Sequence, residues 1–177
     1  QSEPNGLGHA ILQAKHIITD DFFGIILADD LILSEPGCLK QLLEIHEKTQ
    51  SSVLGVFSAS ENKVSNYGVI SSKNIDGIEK VDGIVEKPKP ADAPSNLAEF
   101  GRYILSKDIF LNIEQTKPGL NNEIQLTDAI QDLISNQDVF DVEFEGRRFD
   151  CGSKEGYISA IIDRALSIDK YKSIIEK

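Results

Sequence analysis

The sequence has no methionine and no tryptophan, and it contains two cysteines and three histidines. Cys38 and Cys151 lie far apart, at no spacing typical of a metal site or a disulfide framework. We therefore expect both to be ordinary thiols of a cytoplasmic protein. The histidines form neither a zinc pattern nor a catalytic triad. Because even an initiator methionine is absent, we expect the 177 residues to be a portion of a longer protein.

Basic residues are also scarce, since 18 Lys and Arg face 29 Asp and Glu, a formal net charge of -11. Proteins that bind nucleic acid or anionic membrane surfaces need clustered positive charge, so both classes of partner are excluded. No apolar run approaches the ~20 residues of a membrane-spanning helix, and no signal peptide opens the chain. The composition predicts a soluble protein.

The residues that are present predict one α/β domain over 1–177. Hydrophobic residues make up 40% of the chain, which is enough for a sizeable core. The apolar run 24–30 is typical of a strand buried on both faces of a parallel sheet. A helical pattern over 36–50 and a second buried strand over 52–57 follow. Strand, helix and strand in this order predict a βαβ unit with a right-handed crossover.

The middle of the chain has a different pattern, typical of antiparallel strands. Short strands are predicted over 68–71, 78–81 and 83–87, separated by an Asn-Ile-Asp-Gly turn and by Asp82-Gly83. Asp-Gly between extended runs is a strong hairpin signal. A further strand is predicted over 100–105. Beyond it, the pattern predicts helices over 106–115, 126–135 and from Ser153 onward, with Thr127 or Asn122 able to cap the second.

Three carboxylates follow predicted strands and are candidate metal ligands. Asp29 and Asp30 end the first buried strand, and Asp150 ends a strand just before a glycine and a new helix. Ligands of open α/β sheets bind beyond the carboxyl ends of strands, and Mg²⁺ takes one or two carboxylates plus phosphate oxygens. The alternative is that the aspartates cap a turn and the final helix. The sequence alone does not show that the two strand ends meet.

The segment Asp-Gly-Ile-Val-Glu-Lys-Pro-Lys-Pro (82–90) delivers Glu86 and Lys87 side by side to a strand end. A carboxylate suits sugar hydroxyls and an ammonium suits a phosphate, so the pair is a candidate sugar-phosphate site. The alternative is an exposed edge strand that charge and proline close. Gly6, Gly68 and Gly101 are weaker candidates, because a glycine in a loop or strand marks either a close ligand approach or an ordinary turn or bulge.

Several stretches, in order and at natural spacing over nearly the whole chain, resemble the nucleoside-diphosphate-sugar pyrophosphorylases. They are Gln-x-x-x-x-Gly-Leu-Gly-His-Ala (1–10), Leu-Ala-Asp-Asp (27–30), Tyr-Gly-Val-Ile (67–70) and Val-Glu-Lys-Pro-Lys-Pro (85–90). Three more are similar to the bacterial branch that acts on UTP and glucose 1-phosphate: Ala-Pro-Ser-Asn-Leu-Ala (93–98) with Gly-Arg-Tyr, Asn-Glu-Ile-Gln-Leu-Thr-Asp-Ala-Ile (122–130) and Glu-Gly-Arg-Arg-Phe-Asp-Cys-Gly (145–152).

The resemblance implies a Rossmann-like nucleotidyltransferase fold, with a mixed, mainly parallel sheet flanked by helices and an antiparallel sugar-binding part. It also implies the reaction of UTP with glucose 1-phosphate to give UDP-glucose and pyrophosphate, with Mg²⁺, in carbohydrate metabolism. The residue roles that it implies are uracil binding by Gln1 and Gly6, metal binding and catalysis by Asp29 and Asp150, phosphate binding and catalysis by Lys87, and glucose binding by Gly68, Glu86 and Gly101.

One part of the family pattern is absent from the sequence. The N-terminal strand and the Gly-x-Gly-Thr-Arg loop, which the resemblance implies for triphosphate binding, do not occur, so we expect negligible synthesis by the 177 residues alone. Two alternatives stay open: a transferase for dTTP or another sugar 1-phosphate, and a non-catalytic fragment that binds a sugar nucleotide or oligomerises. The family commonly forms homodimers or homotetramers, and the apolar side of the last helix is a candidate contact surface.

Overall fold

The computed structural model describes residues 1–175, and within this range no helix is long and apolar enough to span a membrane. The strands are β1 (Phe22–Ile26), β2 (Asp30–Leu33), β3 (Ser52–Ser58), β4 (Gly68–Ile75), β5 (Ile78–Glu86), β6 (Leu97–Ser106), β7 (Val139–Glu143) and β8 (Arg147–Asp150). The helices are α1 (Leu7–Leu12), α2 (Cys38–Thr49), α3 (Ile109–Gln115), α4 (Leu126–Ile134), α5 (Lys154–Leu166) and α6 (Asp169–Ile175), and short 3-10 turns cover Glu61–Asn66, Pro90–Asp92 and Leu120–Asn122.

The main sheet has six strands in the order β1-β6-β3-β7-β5-β4. β3 and β7 pair in parallel, whereas the other ladders between its described strands are antiparallel. β1 and β3 run in the same direction on either side of α2, as predicted, but β6 returns between them. The predicted α/β class and mixed sheet are confirmed, although neighbouring strands pair mainly antiparallel because of this return.

Helices α3 and α4 cover the main core, and α2 covers a second one. Helix α4 was predicted over 126–135, and its apolar side chains recur at the three- and four-residue spacing that places them on one face. That face buries Leu126, Ala129, Ile130 and Leu133 against the sheet. Each large aliphatic side chain buried in this way contributes roughly 1.5–3 kcal/mol of stability. Packing in these two cores fixes the positions of the strands whose ends surround the candidate site.

The prediction that 24–30 forms a strand buried on both faces is wrong. The strand ends at Ile26, pairs with β6 alone among the described strands, and exposes Gly24 and Ile26. Phe22 packs against the second core, and Phe23 and Ile25 pack against the main core. With a neighbouring strand on one side only, β1 has no fully buried residue. Asp29 therefore lies in a turn, and Asp30 begins β2.

The predicted hairpin at Asp82-Gly83 is also wrong. Both residues lie inside β5, where the pairing with β4 shifts between Ser71 and Ser72. Asp82 is the extra residue of this bulge, and it accepts a hydrogen bond from the Ser71 hydroxyl at 2.5 Å and pairs with Lys73. The Asp-Gly pair thus marks a bulge rather than a turn, which is the other structure in which a strand glycine is common.

A separate two-stranded sheet carries two of the candidate aspartates. β2 and β8 pair antiparallel, and Asp30 lies directly opposite Asp150. The helix that follows, α5, begins at a cap formed by Ser153, whose hydroxyl accepts the backbone N–H of Gly156 at 3.0 Å. Asp150 is therefore not the helix cap, and its carboxylate is available to the site.

Asp141 on β7 is a buried carboxyl that the fold accommodates poorly. It is 5% exposed, and its Oδ2 has no hydrogen-bond partner in the described part of the chain. Burial raises the pKa of Asp141 from 3.8 to about 6. A hydrogen bond with the Ser72 hydroxyl lowers this pKa, whereas the negative charges of Glu79 and Glu143 raise it further. Because the folded state binds this proton more tightly than the unfolded state, stability falls as the pH rises from 3.8 through 6.

We expect Asp141→Asn to stabilise the protein at pH 8 by up to about 3 kcal/mol and to leave its stability nearly unchanged at pH 4, where Asp141 is protonated. Urea unfolding at the two pH values measures the difference. Asp20→Asn, at an exposed position, is the matched control and should have little effect at either pH. An equal gain at both pH values would contradict the assignment to charge burial.

Candidate functional site

The candidate site is a cavity of about 360 Å³ at the ends of β4 and β5 and beside the two-stranded sheet. Six of the eight sequence-predicted site residues line it, namely Asp29, Gly68, Glu86, Lys87, Gly101 and Asp150. Asp30, the third candidate carboxylate, also lines the cavity. The rest of the wall lies outside the predicted site, and it consists of Leu7, Leu27, Asn66, Tyr67, Glu99, Phe100, Tyr103, Glu123, Gln125, Leu126, Thr127 and Arg148. Segments more than 100 residues apart in sequence thus share one site.

The carboxylates of Asp29 and Asp150 converge next to Gly152. A Cβ atom at position 152 would lie 3.1 Å from Oδ1 of Asp150 and 3.2 Å from Oδ2 of Asp29. The backbone holds the approach, since the N–H of Cys151 donates to the carbonyl of Asp29 at 2.7 Å and that of Gly152 donates to Asp150 Oδ1 at 3.1 Å. Two carboxylates around an unfilled space are a donor set that suits a hard divalent cation.

Asp30, in contrast, is committed to the fold. Its Oδ1 accepts a hydrogen bond from Nε of Arg148 at 2.5 Å, and its Oδ2 accepts the backbone N–H of Gly101 at 3.1 Å. Arg102 also donates to the Asp30 carbonyl. The residue is 8% exposed. The two neighbouring aspartates therefore differ in their surroundings. Hydrogen bonds occupy both oxygens of the Asp30 carboxylate, whereas Asp29 lines the cavity with a carboxylate that no described side chain contacts through a hydrogen bond.

Arg148 joins the two-stranded sheet to the main sheet. Its guanidinium lies over the rings of Phe57, Tyr67 and Phe100 at 4.6, 5.1 and 5.8 Å. Burial opposes the charge, but hydrogen bonds with Tyr67 and Asp30 outweigh it and raise the pKa of Arg148. The guanidinium thus stays charged in the cavity wall. The run Arg147-Arg148-Phe149-Asp150 was the available sequence signal, because an arginine two residues before a site aspartate shares its face of the strand.

Glu86 and Lys87 lie at the end of β5, and their neighbours fix both. Oε1 of Glu86 is 3.2 Å from Nζ of Lys87, and Oε2 accepts the Thr127 hydroxyl at 2.9 Å. Thr127 was predicted as a possible helix cap, but Gln125 occupies that position. Lys87 adopts a left-handed conformation with φ 44°, which is costly for a side-chain-bearing residue and is concentrated at functional sites. The alternative of an exposed edge strand is wrong, because β5 lies between β4 and β7 in the sheet, and Gln131 accepts the N–H of Ile84.

Gly68 and Gly101 are positions at which a side chain would clash with neighbouring residues. A Cβ at Gly68 would lie 2.6 Å from Cγ2 of Thr127 and 3.1 Å from Oε1 of Glu99. At Gly101 it would lie 2.4 Å from Cβ of Leu27. Both positions therefore need glycine for packing, and at both the backbone lines the cavity.

The structure does not bring Gln1 and Gly6 into the cavity. Gln1 is exposed, and its amide lies 2.9 Å from Nδ1 of His9 and 3.2 Å from the Gly6 carbonyl. Gly6, with φ 97°, packs against the backbone of Ile124. Because Ile124 lies between lining residues Glu123 and Gln125, this loop is next to the cavity. A nucleotide-binding role for Gln1 and Gly6 stays a prediction.

The charges of the lining are unbalanced. Six carboxyl side chains, those of Asp29, Asp30, Glu86, Glu99, Glu123 and Asp150, face two cationic ones, Lys87 and Arg148. A phosphate would be repelled by such a wall unless a further cation accompanied it. Residues 1–175 contain no group of three or more Asp, Glu, His or Cys side chains arranged to hold a metal by themselves. A cation between Asp29 and Asp150 would thus keep coordination positions for ligand oxygens and water.

Comparison with known proteins places this geometry in a family. A family model described as nucleotidyl transferase matches residues 1–165. UTP–glucose-1-phosphate uridylyltransferase of Pseudomonas aeruginosa is 47% identical over 163 residues, 90% of this chain and 58% of that protein. UTP–glucose-1-phosphate uridylyltransferase 2 of Streptococcus pyogenes serotype M1 is 43% identical over 178 residues, 97% of this chain and 60% of that protein.

Solved structures agree with these relatives. UDP-glucose pyrophosphorylase complexed with UDP-glucose superposes with a TM-score of 0.90 at 43% identity, over 94% of this chain and 64% of that one. UTP-bound UGPase from Acinetobacter baumannii gives a TM-score of 0.84 at 34% identity, over 99% of this chain and 63% of that one. The chain spans about three-fifths of the length of the curated relatives it matches.

We expect Gly152→Ala to weaken divalent-cation binding by roughly tenfold or more, the scale seen when the support of a metal site is disturbed. The added methyl would occupy the point at which the two carboxylates converge. Titration with Mn²⁺, followed by electron paramagnetic resonance, measures the affinity. Gly37→Ala is the matched control, because a Cβ there meets nothing within 4 Å. Equal Mn²⁺ affinity in Gly152→Ala and the unmodified protein would contradict a cation site between Asp29 and Asp150.

Proposed function

Because the chain belongs to the nucleotidyl transferase family, we propose that it forms the sugar-phosphate and metal part of an enzyme that transfers a uridylyl group from UTP to glucose 1-phosphate. The products would be UDP-glucose and pyrophosphate. The observation that carries the proposal is the single cavity shared by Asp29, Asp150, Gly68, Glu86 and Lys87. The relatives' names supply the choice of UTP and glucose 1-phosphate.

In this proposal the sugar phosphate lies along the end of β5. Lys87 contacts the phosphate as a compact positive charge, and Glu86 accepts hydrogen bonds from the glucose hydroxyls. Thr127 holds the Glu86 carboxylate in place. Gly68 and Gly101 line the sugar pocket with backbone atoms, and a Cβ at either position would clash with Thr127 or Leu27. The uracil contacts Gln1 and Gly6 on the adjacent loop.

The proposed metal is Mg²⁺, held by Asp29 and Asp150. The space beside Gly152 and the acidic lining support the fit, since an anionic ligand needs an accompanying cation there. When bound, Mg²⁺ would neutralise charge on the phosphates during transfer. The oxygen donors and the open coordination positions suit this ion.

The proposed reaction needs positioning rather than a protein nucleophile. A phosphate oxygen of glucose 1-phosphate attacks the α-phosphorus of UTP in line, the new P–O bond forms, and the bond to pyrophosphate breaks. Lys87 orients the attacking phosphate, and the roles of Asp29 and Asp150 are to place the cation. The Gly-x-Gly-Thr-Arg loop is absent from the 177 residues, so we propose that they bind ligand without appreciable turnover on their own.

The cellular location and the oligomeric state of the protein are also proposals. Two free cysteines, with Cys38 buried, support the predicted cytoplasmic location. Exposed apolar side chains on α5, at Tyr157, Ile158 and Ile161, support self-association into a homodimer or homotetramer. A second candidate function, transfer from dTTP or to another sugar 1-phosphate, is separated by comparing rates across nucleotides and sugars with the full-length protein.

We expect Lys87→Ala to weaken binding of UDP-glucose in the presence of Mg²⁺ by about tenfold or more, because a lost charge-assisted contact costs roughly 1.5–3 kcal/mol. Isothermal titration calorimetry on the full-length protein measures the change. Lys89→Ala removes the same charge two residues away, at an exposed position outside the cavity, and should bind normally.

The double variant Glu86→Gln with Lys87→Ala provides the decisive arm of this experiment. A purely structural role for the strand end would leave UDP-glucose binding unchanged in that variant, and such a result would contradict the proposal. Binding by the full-length protein without any turnover of UTP and glucose 1-phosphate would instead favour a non-catalytic sugar-nucleotide-binding protein.

A further inference from the structure

Glu99 lies in the cavity, but none of the roles proposed above involves it. It is partly buried on β6, opposite Val56 of β3 and one residue after Ala98, which pairs with Val69 of β4. The neighbouring strands therefore fix its backbone on two sides. Its side chain reaches Gly68, where a Cβ would lie 3.0 Å from its Cγ and 3.1 Å from its Oε1. Glu99 thus lies directly beneath the glycine that lines the sugar pocket.

The two oxygens of the Glu99 carboxyl have different surroundings. Oε2 accepts a hydrogen bond from the hydroxyl of Tyr103, which is 1% exposed and fixed within the core. Oε1 takes no hydrogen bond from any described residue and is the oxygen on the side of Gly68. The geometry is that of a carboxyl with one oxygen held by the fold and the other presented to a ligand.

Its electrostatic environment is that of a group ready to take a hydrogen-bond donor. Burial raises the pKa of Glu99 to about 7, and the negative charges of Glu86 and Asp30 contribute to the rise. The hydrogen bond from Tyr103 and the positive charge of Arg148 lower the pKa. A buried carboxyl with an unfilled oxygen is costly in the empty cavity, and a neutral donor such as a hydroxyl relieves that cost.

We propose that Glu99 is a specificity-determining residue that accepts a hydrogen bond from a sugar hydroxyl through Oε1, while Tyr103 positions the carboxyl through Oε2. This rests on the proposed function, because it assumes that a sugar phosphate occupies the cavity. Together with Glu86, which Thr127 holds, Glu99 forms an acidic floor beside Gly68 that recognises hydroxyls. The floor favours a hydroxylated sugar over one with an apolar group at that position.

The competing explanation is that Glu99 serves only as the partner of the buried Tyr103 hydroxyl. That role needs one acceptor oxygen, which a neutral glutamine also offers. It would not make the contribution of the sugar to binding depend on the charge of Glu99. The sugar contribution, measured as the affinity for UDP-glucose relative to UDP, therefore separates the two explanations.

The test compares UDP-glucose with UDP by isothermal titration calorimetry, with Mg²⁺, on the full-length protein and its Glu99→Gln variant at pH 8. We expect Glu99→Gln to weaken UDP-glucose binding by roughly fivefold or more and to change UDP binding by less than about twofold. Glu47→Gln, at an exposed position on α2, is the matched control and should change neither. An equal loss for both ligands, or no loss for either, would overturn the proposal.

A second measurement follows the pH dependence of UDP-glucose binding. As the pH falls from 8 to 6, the affinity of the unmodified protein relative to that of Glu99→Gln should fall by roughly threefold or more, because a protonated carboxyl accepts more weakly than an ionised one. Titration of the nucleotide is common to both proteins and cancels in this comparison. A relative affinity that is independent of pH would overturn the role of Glu99 while leaving the proposed function intact. Failure of the unmodified protein to bind UDP-glucose at all would overturn both.

Discussion

The contact between Arg148 and Asp30 is the interaction on which the site depends. It joins residues 118 positions apart within the two-stranded sheet. Gly101 of β6 and the ring of Phe57 of β3 then tie this pair to the main sheet. Burying an ion pair is costly unless further hydrogen bonds and close packing satisfy it. Here the aromatic rings of Phe57 and Tyr67 cover the guanidinium, and the N–H of Gly101 donates a hydrogen bond to the second carboxylate oxygen of Asp30. With Asp30 held in this way, the β2–β8 ladder places Asp29 and Asp150 side by side.

That constraint explains how a strongly acidic cavity could serve phosphate chemistry in the proposed function. The fold uses one carboxylate, Asp30, to hold Arg148, and leaves Asp29 and Asp150 converging on an open space beside Gly152. On the opposite side, Thr127 holds Glu86, and Tyr103 holds Glu99. Asp30 and Glu86 are thus each oriented by a residue of another element, and Glu99 by a tyrosine of its own strand. Supporting contacts of this kind position polar groups for a ligand.

Periodicity and turn chemistry predicted much of this from the sequence, and their failures have identifiable causes. The apolar spacing of α4 predicted its span to within a residue, because that helix buries one continuous face. The same reasoning made β1 a buried strand, since hydrophobicity alone does not reveal which strand lies beside it. Asp82-Gly83 predicts a turn, but a bulge is built from the same residues. Among the site residues, the motifs predicted Asp29, Glu86, Lys87 and Asp150, and all four line the cavity. Arg148 and Glu99 were missed, because their importance depends on partners distant in sequence or on the opposite strand.

The most direct test of the account is a crystal structure of the full-length protein with UDP-glucose and Mn²⁺, using the anomalous signal of manganese to locate the ion. The account predicts one strong anomalous peak between the carboxylates of Asp29 and Asp150. It also predicts the glucose ring above Gly68, with hydroxyls on Glu86 and Glu99 and the adjacent phosphate on Lys87. A manganese peak away from both aspartates, or a sugar bound outside this cavity, would contradict it.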